Sequence, residues 1–191
     1  MVDEPTGSLW SHILGEAMDG PLKGTRLEIV PAVVTTWVAW KDNYPGTTVL
    51  ALSRSARQFD VEFQKRPQTF VLGIRLGRKA YAWPFDFLQK EVIVNDAPFG
   101  RPMVVFHDLK STEAQAFHRE VDGKVVTFTA SLNGQATDRE TGSIWDPHTG
   151  KCLTGSMKGR ALRPTTAIIS FRKAWNDFHP DSGYYVGADS N

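Results

Sequence analysis

A single cysteine, Cys152, in a chain of 191 residues excludes an internal disulfide and every multi-cysteine metal site. Its flanks, Lys151 and Leu153, suit a strand, so it is expected as a small packed residue rather than a reactive thiol. No apolar run approaches the ~18 residues that would span a bilayer. The opening Met1-Val2-Asp3-Glu4-Pro5 lacks the charged-then-apolar pattern of a signal peptide. The chain therefore reads as soluble, without direct membrane insertion or an export address, and its compartment is not legible. An excess of charge of either sign is also lacking. The formal net charge is +1, which argues against field-driven binding to nucleic acid or an anionic membrane. Basic residues gather between Arg54 and Lys79, but Asp60 and Glu62 dilute them, and the stretch reads as solvated surface. The common catalytic signatures are missing too: there is no Gly-x-Ser-x-Gly elbow, Gly-rich phosphate loop or His-Glu-x-x-His.

What is present is a repeat. Thr6-Gly7-Ser8-Leu9-Trp10 recurs 135 positions later as Thr141-Gly142-Ser143-Ile144-Trp145. At the same offset Gly15, Gly20, Lys23, Gly24 and Leu27 meet Gly150, Gly155, Lys158, Gly159 and Leu162. Further on, Trp40, Asp42 and Pro45 meet Trp175, Asp177 and Pro180. Gap-free agreement over about forty positions marks an internal duplication. The glycine spacing reads as short strands broken by tight turns. Gly7 and Gly142 with Trp10 and Trp145 are its markers, and both tryptophans are expected in the core beside a turn. After the glycines, Trp37, Trp40 and Tyr44 fall three and four apart, as do Phe171, Trp175 and Phe178. That spacing predicts a short helix in each copy with its aromatic face, including Trp40 and Trp175, on a sheet. Thr35 and Ser170 suit its N-cap, and Pro45 and Pro180 its end.

Between the copies the chain reads as β structure. Residues 70–75 and 79–83 make a hairpin around Gly77, and 91–96 with 101–106 a second one. A third is expected from 115–121 and 124–130, turning at Asp122-Gly123. Pro84 to Lys90 suits a short helical turn. The predicted fold class is thus mainly β (α+β), a duplicated β-rich unit with hairpins and one short aromatic-faced helix per unit. The organisation expected is the rear half of a first unit at 1–47, an irregular connection at 48–69 and a complete second unit at 70–191.

Val71-Leu72-Gly73-Ile74, Ala80-Tyr81-Ala82-Trp83-Pro84, Val92-Ile93-Val94-Asn95-Asp96 and Gly100-Arg101-Pro102, followed by the Thr-Gly-Ser-Ile-Trp block, carry a family resemblance. The chain resembles the bacterial and archaeal family known as domain of unknown function 3179 over nearly its whole length. Members similarly hold two related units, and many look exported or lipid-anchored. The resemblance implies a Tyr-Cys-Pro-x-Cys-Gly segment in the first unit. Laid on the second unit, that segment falls at Phe106 to Ser111, where His107 and Lys110 stand at the cysteine positions. A thiol or metal role therefore does not carry over, and the matching segment of the first unit would lie ahead of Met1. The early arrival of the first Thr-Gly-Ser block makes the chain read as a truncation or as a frame starting inside a larger protein.

His107, Asp108, Lys110 and His118 are the polar cluster at the position the resemblance marks. A His-Asp pair at a strand end suits metal binding or acid–base work, with His118 reaching across the adjacent strand; a solvated loop is the plainer reading. His148 and His179 sit in turns, and His12 has proline as its repeat counterpart. The expected function is a non-catalytic β-rich binding or structural module of a larger protein or assembly. Its partner would be another protein or a missing N-terminal half that completes the β unit, because unpaired strand edges and apolar faces need cover. The alternative is a fragment of a thiol- or metal-dependent redox enzyme whose cysteine site lies elsewhere. No cofactor is expected on the first reading, and a transition metal on the second.

Overall fold

The structure is a computed structural model that describes residues 1–49 and 65–188. Most of the connection expected at 48–69 lies outside the described residues, as does residues 189–191 at the other end. The first block contains strands β1 (Leu9–Ser11) and β2 (Glu16–Asp19) and helix α1 (Trp37–Asn43). The remainder runs β3 (Phe70–Leu76), β4 (Lys79–Pro84), helix α2 (Phe85–Leu88), β5 (Ile93–Asp96), β6 (Met103–His107), β7 (Ala114–His118), β8 (Glu120–Val121) and β9 (Lys124–Val125). It continues through β10 (Phe128–Ala130), β11 (Ala136–Asp138), β12 (Ile144–Trp145), β13 (Cys152–Thr154), β14 (Arg163–Pro164), β15 (Ala167–Phe171), helix α3 (Arg172–Phe178) and β16 (Gly183–Tyr184). The molecule is mainly β.

Alternation along the strands builds the layers. Leu72 and Ile74 of β3 face Met103 and Val105 of β6 in one core, together with Trp83, Phe85 and Leu88. Val104 and Phe106, the other face of β6, join Phe117, Phe128, Trp145 and Leu162 in a second core. The sheet β14-β7-β6-β5 is therefore a middle layer. It lies between the sheet β15-β3-β4-β16 on one side and β10-β11-β12-β13 on the other. Burial on both faces explains why Met103 to Phe106 reads as an unbroken apolar run and not as an alternating one. Asn95 joins two of the layers. Its amide donates to Phe128 O at 2.8 Å and its carbonyl accepts from Phe128 N at 2.8 Å, so a side chain stands in for one rung of a ladder.

The hairpins at Gly77 and at 97–102 form as expected. The third does not. Asp122 and Gly123 both adopt positive φ, as a type I′ turn requires, but only two residue pairs flank them. Ala114 to His118 pairs with β6 instead, and Phe128 to Ala130 with β11, because long-range partners bury more of each strand than the local hairpin could.

The duplication is visible atom by atom. Asp3 accepts from Thr6 N at 2.7 Å, from the Thr6 hydroxyl at 2.8 Å and from the Trp10 indole at 2.7 Å. Asp138 accepts from Thr141 N at 2.6 Å, from the Thr141 hydroxyl at 2.8 Å and from the Trp145 indole at 2.8 Å. Ser8 and Ser143 then take the backbone N–H of Leu22 and Met157. Glycine at 20 and 155 permits this closure: a Cβ there would lie 2.7 Å from the Cα of Ser8 or of Ser143, and φ is positive at both.

Burial differs between the copies where bonding does not. Trp145 and Trp175 are fully buried, whereas Trp10 and Trp40 are only half-buried. The shared core role expected for Trp10 and Trp145 thus holds for Trp145. The ring of Trp175 lies on β3 at Gly73, where a Cβ would come within 2.4 Å of it. The other ring positions of the helices, Trp37, Tyr44, Phe171 and Phe178, stay exposed. Caps differ as well. Thr36, not Thr35, caps α1 by accepting from Ala39 N at 3.3 Å. Ser170 lies in β15 and caps nothing, because that strand runs straight into α3.

Candidate functional site

Among the described residues, the predicted polar cluster separates into three places. The β6–β7 register sets His107 opposite Ala114 and His118 opposite Met103. The two histidines thus share a face but stand four positions apart, roughly 14 Å, and they do not meet. His118 instead faces Arg163 and Arg101, and burial with these two cations holds its imidazole below the ordinary value. His107 turns to the first core. Its ring packs edge-on against Phe85 at 5.6 Å and its Nδ1 meets Glu113 O at 2.9 Å. Burial, only partly opposed by that bond and by Asp108, lowers its affinity for a proton. This is a satisfied core histidine with the neutral ring favoured. Asp108 is spent within its own loop: it accepts from Lys110 N at 3.1 Å, Ser111 N at 3.1 Å and the Ser111 hydroxyl at 2.5 Å. The turn is thereby locked.

Strand alternation sends Glu113 to the opposite side from His107, together with Gln115. There it meets a residue from far along the chain. Glu113 Oε1 lies 3.1 Å from His148 Nδ1, and Gln115 Nε2 donates both to Glu113 Oε1 at 2.6 Å and to His148 O at 2.7 Å. Asp146 fixes the turn beneath, accepting from His148 N at 2.9 Å and from the Thr149 hydroxyl at 2.6 Å. Glu113 is 6% exposed. Burial pushes its carboxyl up, but the bonds from His148 and Gln115 outweigh it and hold the group below the usual carboxylate range. The bond to Glu113 is the chief cause that raises His148, ahead of opposing burial and of Asp146 and Asp108. The contact favours the carboxylate on one side and the imidazolium on the other, each making the other's charge cheaper to bury. The Thr35 hydroxyl adds to the forces holding Glu113 ionised, although it is buried without a completed hydrogen bond.

This pair borders a cleft of about 760 Å³ that also reaches Asn43 and three residues of the predicted cluster, His107, Asp108 and Lys110, but not His118. Among the described residues no three His, Cys, Asp or Glu side chains converge as a ligand set. Cys152 is buried in β13, as expected of a small packed residue, and burial raises its thiol. His148 carried a weak mark in the sequence, a turn of the form Asp-Pro-His-Thr-Gly. Glu113 carried none, since nothing local shows that residues 35 positions apart share a cleft.

A second feature is the outer face of the first copy. Leu27, Ile29 and Val30 stand exposed there around a shallow groove that also includes Trp10, and Leu22 is exposed elsewhere in the same copy. The block meets the main body through Arg75, which donates to Leu14 O at 3.3 Å, through Ile13, which packs beside Val71 and Trp175, and through Thr35 and Asn43 near Glu113 and the cleft.

Fold and site together define a class: a duplicated, mainly β protein in which one copy of a strand–turn–helix unit closes on a core and the other is open. No helix among the described residues is long and apolar enough to cross a membrane. The chain belongs to the family described as protein of unknown function (DUF3179), whose model matches residues 1–62 and 58–182. No curated protein and no solved structure matches it.

Proposed function

We propose that the protein is a non-catalytic β-rich binding and structural module that docks a protein partner on the open face of its first copy. One observation carries this reading. Leu27 is 54% exposed where its repeat counterpart Leu162 is 2% exposed. Leu22 and Met157, and Trp10 and Trp145, differ in the same sense. In the second copy the cover is a sheet surface: Phe128 packs edge-on against Trp145 at 5.7 Å, and Phe117 lies against Gly150. The first copy keeps the same turn bonding and apolar residues at the positions of Trp145, Met157 and Leu162, so the partner that fits is another sheet face presenting aromatic side chains. Burying each leucine would contribute about 1.5–3 kcal/mol, and a clustered apolar face of this kind marks an interaction site.

A photo-crosslinking residue placed at 27 and, separately, at 162 tests this in cells. The expected result is one defined adduct with a second polypeptide from position 27 and none from position 162, with the adduct lost when Leu22→Asp is added. Equal labelling from both positions, or none from 27, would overturn the proposal.

A further inference from the structure

The Glu113–His148 cleft lies apart from that docking face and has its own chemistry. The imidazole is committed on one side only: Nδ1 meets Glu113, and no described residue bonds Nε2. The ring is partly exposed, at 29% for the side chain, and it borders the cleft. Facing walls differ in kind. Phe106, Leu109 and Leu153 give an apolar surface, while Asn133 and Gln135, in and beside the turn between β10 and β11, bring amides to the other wall. Among the described residues neither amide side chain is tied down.

The charged groups around His148 decide the sign of the ligand. Glu113 faces it from the start of β7, Asp146 from its own turn, and Asp108 and Lys110 from the loop after β6. Three carboxylates against one imidazolium and one ammonium leave a negative surplus, which disfavours an anion. The carboxylates are also saturated with local donors, which leaves them poor anchors for a cation. A neutral group that accepts from His148, exchanges hydrogen bonds with the amide wall and lays an apolar side on Leu109 and Leu153 satisfies all three surfaces. The volume falls within the range of small-ligand sites.

We propose that this cleft binds a short, neutral peptide segment with an apolar side chain, anchored by a hydrogen bond from His148 Nε2 to a peptide carbonyl. Glu113 is the positioning residue, since it fixes the ring and keeps its outer nitrogen a donor.

Acetyl-Gly-Leu-Gly-amide is the probe, titrated into the full chain with ¹⁵N-histidine and methyl resonances observed. The expected result is saturable movement of the His148 ring and of the Leu109 and Leu153 methyls. Binding should be about three- to tenfold weaker at pH 9 than at pH 6, because Nε2 loses its proton while Nδ1–H stays on Glu113. Leu153→Glu, on the exposed rim and so harmless to folding, should abolish the movement. His148→Gln keeps an amide donor and should remove the pH dependence. The inference is overturned by the absence of saturable movement at both pH values, by movement confined to Leu22 and Leu27, or by binding indifferent to Leu153→Glu.

Discussion

Replacing Asp138 by Ala and, in a separate variant, Asp3 by Ala removes the same hydrogen-bonded carboxylate from two copies of one motif. In the second copy Asp138 and Trp145 are both fully buried, and the carboxylate accepts from Thr141 N, the Thr141 hydroxyl and the Trp145 indole within 2.8 Å. Alanine strands a buried indole N–H, worth about 1–3 kcal/mol, and removes charge-assisted bonds of about 1.5–3 kcal/mol that do not add in full. The expected loss is about 3–4 kcal/mol, which for a chain of this size lowers the midpoint of thermal unfolding by roughly 6–16 °C. In the first copy the three bonds are equally short, and those from Trp10 and Thr6 hold the Asp3 carboxyl below its ordinary value. Water reaches these groups, so donors freed by Asp3→Ala are resolvated and the midpoint should move far less. Circular dichroism melts with matched urea titrations measure both variants against the parent. Equal shifts for the two, or a negligible shift for Asp138→Ala, would refute the argument that burial rather than bond count sets the value of this network.

Two further outcomes follow from packing and charge. Gly73→Ala places a methyl against the fully buried ring of Trp175 and should cost about 1–3 kcal/mol as overpacking; urea unfolding with an unchanged midpoint would show that α3 yields freely. The Glu113–His148 pair should make stability depend on pH with a defined sign. The raised His148 contributes fully below the ordinary imidazole value of 6.5 and its contribution is lost as pH rises through the higher folded value. The lowered Glu113 contributes fully above the ordinary 4.5 and its contribution is lost as pH falls through the lower folded value. The pair is therefore worth most between these two ordinary values. His107, His118 and His179, held down by burial, act in the opposite sense, so the difference between parent and His148→Gln isolates the pair. Parallel stability–pH curves for the two would contradict the assignment.

Much of the architecture was legible because it is written locally. The offset repeat, the turns at Gly77 and Asp122-Gly123, and the helices ending before Pro45 and Pro180 depend on residues only a few positions apart. The site was less legible. His107, Asp108 and Lys110 were found in sequence because they are neighbours. His107 does border the cleft, but its ring is committed to Phe85 and Glu113 O, and the β6–β7 register carries His118 to the other end of the sheet. Glu113 and His148, the pair that does form, flank strands of two different sheets and are brought together by the packing of one layer on the other, for which neither residue's surroundings gave a sign.

The two Thr-Gly-Ser-x-Trp blocks mark the division between sequence and tertiary structure. Their own residues determine the turn, the Asp–Thr–Ser–Trp bonding and the close approach of Gly20 to Ser8 and of Gly155 to Ser143, since these partners lie within each copy and both copies form them alike. Whether that block becomes a core or a surface was decided elsewhere. Phe106, Phe117 and Phe128, brought from separate strands, bury Trp145 and Leu162 in the second copy. Their absence over the first leaves Leu27 in water. Hydrogen bonding within a turn is a local property, whereas burial belongs to whatever the rest of the chain, or a partner, lays on top.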